Sequence, residues 1–222
     1  MVVATYNTLI NRWSAFHSWG YVPVNLTFAA VIAIIAAATL DLSRVEMGLR
    51  GDRGDVVLPM AILAAFALVV FAIARSRHAP RIADKRVAGM QGSALAYYVL
   101  LRIPLGTAVA EELLFRGALF AAWRDAVASD VEAALASSVA FGLWHISPTI
   151  VGLRINDPDA SRAKVRAALL GAVLLTTVAG LGLTWLRVES GGLLGPIVLH
   201  AGINSAGALG AVVAGRRSLR TN

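Results

Sequence analysis

Three short segments of this chain carry residue types that can move protons or stabilise charge. They are Ala110-Glu111-Glu112-Leu113-Leu114-Phe115-Arg116-Gly117, Phe141-Gly142-Leu143-Trp144-His145 and His200-Ala201-Gly202-Ile203-Asn204. On a helix, neighbouring residues point about 100° apart, whereas positions four apart share a face. Glu112 can therefore pair with Arg116, while Glu111 points elsewhere with no counter-ion on its own helix. A structural ion pair accounts for Glu112 and Arg116 but leaves Glu111 unexplained, and an ionisable group within a membrane span is a functional candidate by default. A lone histidine such as His145 is, on its own, more often a satisfied residue at a membrane interface than a catalyst. His200 and Asn204 share a helix face with small residues between them, which suits interhelical hydrogen bonding or the close approach of a peptide.

The elements that must position these groups are membrane spans. Of 222 residues, 58% are hydrophobic and only 15% charged, and the mean hydropathy is +0.70. A water-soluble domain usually carries about 25% charged residues, so much of this surface faces lipid. A helix crossing the hydrocarbon needs roughly 20 apolar residues. Residues 22–42, 56–74, 92–123, 131–146, 165–186 and 191–214 supply six such stretches, the fourth rather short. The fold class is an all-α polytopic bundle, read as one membrane-embedded unit over residues 1–222 with its motif core at 104–214. Residues 1–20 lack a basic segment followed by an apolar core, so no cleaved signal is expected.

Basic residues set the orientation. With both termini in the cytoplasm, thirteen Lys and Arg fall on that side, at Arg12 and within 75–86, 154–166 and 216–220. Five fall opposite, at Arg44, Arg50, Arg53, Arg124 and Arg187, a bias that favours this arrangement. The third stretch would be about 48 Å long as one helix. Arg102-Ile103-Pro104 offers a division, because proline suits a first helical turn and disfavours α geometry before it. With Lys85 to Ile103 along the interface and the span starting near Pro104, Glu111 lies about 10 Å in, level with His145. Without that division, Glu111 would fall in the other half and miss His145.

The three segments, in this order, resemble the CAAX protease and bacteriocin-processing (CPBP, or Abi) family of intramembrane proteases, whose pattern is EExxxR, FxxxH and HxxxN. Glu111-Glu112 with Arg116, Phe141 with His145, and His200 with Asn204 match it, and Gly117 completes the usual FRG. The resemblance runs from Glu111 to Asn204; Met47-Gly48-Leu49 loosely echoes a motif that often precedes the spans. It implies peptide hydrolysis by an activated water, with Glu111 and His145 as the base and His200 and Asn204 donating to the oxyanion. Low dielectric disfavours the charged carboxylate and makes it a better proton acceptor. Glu112 and Arg116 would hold the helix and position Glu111. The implied partners are membrane lipid and a peptide or protein substrate with a lipidated or membrane-adjacent C-terminus, at the cell membrane, with no cofactor.

Other readings stay open at this point. Zinc on Glu111, His145 and His200 would also make a hydrolase, although HExxH is absent. A proton-coupled carrier uses intramembrane Glu and His, but no inverted repeat is visible. A non-proteolytic immunity or scaffold protein is a third. The absence of cysteine excludes disulfides and a thiol nucleophile. Ser147 and Ser205 lie near the histidines without an acid to orient either pair. The charge of +7 is read as lipid-facing, with no basic surface for nucleic acid.

Overall fold

The computed structural model describes residues 2–12, 19–49 and 56–221, and among these it is all-helical with no strand. Arg50 and Arg53, and the side chains of Arg12 and Arg220, lie outside the described residues, as do Met1 and residues 13–18 of the N-terminal segment. A short helix α1 (Val2–Arg12) precedes α2 (Tyr21–Leu40) and α3 (Val57–Arg75). Then come α4 (Gly92–Val127), α5 (Asp130–Trp144) and α6 (Ile146–Asn156). Helices α7 (Arg162–Ser190) and α8 (Leu194–Thr221) complete the bundle. Among the described residues, six helices are long and apolar enough to cross a membrane, with α5 and α6 counted as one.

Local sequence explains where helices begin and which faces turn inward. Ser129 accepts a hydrogen bond from the Glu132 amide at 3.3 Å, and Ser161 one from the Lys164 amide at 3.3 Å, capping α5 and α7. Asn25, Ala29 and Ala33, four apart, form the buried stripe of α2. Leu170, Leu174, Leu175 and Val178 of α7 stay exposed, as lipid contact requires, while Gly180, Leu183 and Thr184 turn inward. Small residues set the closest approaches, since van der Waals packing rather than hydrophobicity joins helices in lipid. A Cβ on Gly142 of α5 would lie 2.8 Å from the Val173 carbonyl of α7, and one on Gly202 of α8 would press into Leu63 of α3.

Helix α4 lies at the centre, packed against α2, α5, α7 and α8, and it corrects one expectation. The chain does not divide at Pro104, which sits inside a continuous 36-residue helix. Hydrogen bonding over Tyr98–Val109 and again over Leu113–Leu119 is of the wide i→i+5 type. A wider turn accommodates a ring that lacks an N–H and would crowd the preceding α-helical turn. The fourth span is not short either: the chain turns at His145 and continues as α6. Loop Ser43–Leu49 is tied to the end of α7 and the turn into α8. Arg187 donates to the Glu46 carbonyl at 2.8 Å, and Gly48, at φ 69°, accepts from the Leu193 amide at 3.1 Å.

Candidate active site

Glu112 and Arg116 are both 0% exposed and form the expected pair at 3.0 Å. Two buried charges need more than one another, because their remaining donors and acceptors also lose water. The Arg116 guanidinium donates to the Gly180 carbonyl at 3.3 Å and lies 4.1 Å from the Phe141 ring centroid. The Glu112 oxygen that meets Arg116 also accepts from Nδ1 of His200 at 2.7 Å. Glu112 thus does more than steady its own helix: it fixes the imidazole of α8. With Nδ1 donating to a carboxylate, Nε2 of His200 turns to Glu111, 3.8 Å from Oε2.

Glu111 has a different environment. Its Oε1 accepts from the Trp144 indole N–H at 2.9 Å, and its buried Oε2 has no hydrogen-bond partner among the described residues. His145 sits at the α5–α6 junction with Nδ1 2.8 Å from the Phe141 carbonyl. A carbonyl only accepts, so Nδ1 carries the hydrogen and Nε2 is left as the acceptor. The FxxxH spacing has a physical basis in Phe141. Its ring lies edge-on to His145 at 4.6 Å and to His200 at 5.8 Å, and it also carries Arg116.

Glu111, His145 and Asn204 line one cavity of about 780 Å³, within the size range of ligand sites. His200 is buried behind Glu111, out of the cavity wall. All the residues singled out in the sequence therefore meet around α4: Glu111, Glu112, Arg116 and His200 in one network, His145 and Asn204 on the shared cavity. No break at Pro104 is needed. The helix residues facing the cavity, Tyr98, Arg102, Ile103, Thr107 and Glu111, recur at spacings of mostly four or five, which fits the wide turn rather than 3.6.

Sequence reasoning passed over Trp144, whose indole beside His145 was the available signal, and Asn7, which donates to the Trp144 carbonyl at 2.5 Å from the distant α1. Asp84 and Arg86, paired at 2.6 Å, also line the cavity. Burial works to raise the Asp84 carboxyl, but hydrogen bonds from Arg86 and Asn156 together hold it below the ordinary aspartate range. Ser205, one of the two serines near the histidines, gives its hydroxyl to the Val99 carbonyl at 3.0 Å. Among the described residues, no group of three or more His, Cys, Asp or Glu is arranged to hold a metal ion.

Fold and site together define a multi-pass membrane protein with a Glu–Arg–His network buried among its helices. The family model for type II CAAX prenyl endopeptidase Rce1-like proteins matches residues 93–206, just over half of the 222-residue chain. The chain belongs to this family, and it is a membrane-embedded endopeptidase. No curated protein and no solved structure matches it.

Proposed function

We propose that this endopeptidase cleaves a peptide bond near the C-terminus of a lipidated, CAAX-like protein by means of a water activated by Glu111 and His145. The observation that carries the reading is the unequal treatment of the two adjacent carboxylates. Glu112 is fully enclosed, with Arg116 and His200 both on one of its oxygens, whereas Glu111 is held by the Trp144 indole alone and lines a peptide-sized cavity. In this reading the Glu111 carboxylate takes a proton from a water in the cavity, and the resulting hydroxide attacks the scissile carbonyl. His145, with Nε2 as acceptor, helps to hold that water and carries the proton toward the leaving amine. Asn204 donates to the developing oxyanion from the cavity wall, and His200, buried behind Glu111, acts through that carboxylate. The Trp144 indole keeps Glu111 turned toward the reaction. On the charge bias described above, the mouth at Arg86 opens to the cytoplasm; a reporter fused after Arg86 reads that side directly.

The test uses the purified protein in liposomes with a prenylated peptide of CAAX type. Glu111→Gln keeps shape and hydrogen bonding but removes the base, so turnover should fall about 1,000-fold or more while the protein stays folded. Cleavage should persist after exhaustive chelation. Near-normal turnover by Glu111→Gln would remove the carboxylate from the mechanism. Loss on chelation with rescue by zinc would transfer the activation of water to a metal.

A further inference from the structure

The last carbonyls of a helix need donors from elsewhere, and α5 ends inside the candidate active site. The Phe141 carbonyl meets Nδ1 of His145 at 2.8 Å, and that of Gly142 accepts from the His145 amide at 3.1 Å. The Trp144 carbonyl is served differently. In an α turn its donor would be the amide four positions on, as the Thr149 amide serves the His145 carbonyl at 3.1 Å. For Trp144 that position is Pro148, which has no N–H. A buried carbonyl left without a donor is costly. The side-chain amide of Asn7 supplies one at 2.5 Å, from 137 positions away. Asn7 is brought there by its neighbours on α1. Tyr6 stacks on Phe28 of α2 with ring centroids 3.6 Å apart, and its hydroxyl donates to Asn25 at 2.9 Å. Ile10 is buried on the same side, and with Asn7 it lines the cavity.

We propose that Asn7 is a positioning residue of the endopeptidase, clamping the peptide group between Trp144 and His145 so that both side chains face Glu111 and its cavity. The role rests on the reading of Glu111 and His145 as the hydrolytic pair. The Trp144 carbonyl and the His145 amide belong to one peptide group, which is planar and rigid. Its oxygen is held by Asn7 and its N–H by the Gly142 carbonyl, so the plane is fixed at both edges. From that plane the Trp144 indole reaches Glu111 at 2.9 Å, and His145 reaches the cavity wall. Releasing the oxygen lets the α5–α6 junction turn, and a displacement of about 1 Å in a catalytic group can cost about 100-fold in rate. Asn7 acts on the groups that move the proton, so its loss falls on kcat rather than on KM. The N-terminal helix is thereby part of the catalytic apparatus.

The experiment removes the Asn7 donor and then returns one from the backbone. Full-length Asn7→Ala, Asn7→Asp, Pro148→Ala and the Asn7→Ala/Pro148→Ala double variant are compared with the parent in liposomes, on a prenylated peptide of CAAX type. Asn7→Ala should lower kcat about tenfold or more and leave KM within about twofold. Asn7→Asp keeps the shape but has no N–H to give, and should fall as far. Pro148→Ala gives the Trp144 carbonyl a backbone donor, so adding Asn7→Ala to it should cost little. A second readout needs no turnover. The indole N–H resonance of Trp144, assigned by its loss in Trp144→Phe, should move toward that of a free indole in Asn7→Ala and return in the double variant. Unchanged kcat, a loss confined to KM, an equal loss with and without Pro148→Ala, or an indole resonance that stays put would each overturn the assignment. A resonance that responds as expected in protein that cleaves nothing keeps the clamp and sinks the hydrolytic reading. A parent that cleaves while Asn7→Ala alters neither readout does the reverse.

Discussion

On one side of α4, Glu112 and Arg116 are completely enclosed, with Gly180 and Phe141 against the guanidinium and His200 on the carboxylate. One residue away, Glu111 is held at a single oxygen by Trp144 and looks onto an open cavity. Two identical side chains, adjacent in sequence, thus have opposite surroundings. A buried carboxylate with two cationic or donor partners is a fixture, because removing either partner strands a charge. A carboxylate that lines a cavity can meet water and accept a proton from it. The position of His200 links the two sides, since one imidazole touches Glu112 through Nδ1 and faces Glu111 through Nε2.

The largest effect that would break this comparison is expected from Glu112→Gln. It leaves Arg116 buried without its counter-charge, so the protein should lose about 3 kcal/mol or more of stability. Thermal unfolding in detergent reads this loss, and a variant as stable as its parent would show that Glu112 is no fixture. Next comes Asn204→Ala on the cavity side, where loss of one oxyanion donor typically costs about 100- to 1,000-fold in turnover. Substrate binding should be largely kept, because the donor acts on the transition state; a rise in KM with unchanged kcat would make Asn204 a binding residue instead. The smallest effect is expected from Trp144→Phe, which removes only the indole donor to Glu111. It should lower kcat about tenfold with KM held, in line with one hydrogen bond to a charged group. Unchanged kcat would mean that Glu111 is oriented without it.

Much of the architecture could be read from composition and spacing. The six spans were recognisable as apolar runs of bilayer length, and the Glu112–Arg116 pair followed from a separation of four on a helix. The break expected at Pro104 did not, because local rules for proline describe an ordinary α turn. Here the turn widens, and α4 is held straight through by contacts with α2 and α8 that no local rule contains. The same widening decides which α4 residues face the cavity. Arg102 and Tyr98 therefore gave no sign of sharing a wall with Glu111.

By itself, the sequence determined the membrane class, the family motifs and the pool of groups able to do chemistry, since these depend on residue type and short-range spacing. Only the tertiary structure decided how the pool is divided. Trp144 reaches Glu111 across 33 positions and His200 reaches Glu112 across 88, while Asn7 holds the Trp144 carbonyl across 137. Such contacts are formed by packing helices against each other, and whether an oxygen is bonded or left unbonded is a property of that packing rather than of the residue that carries it.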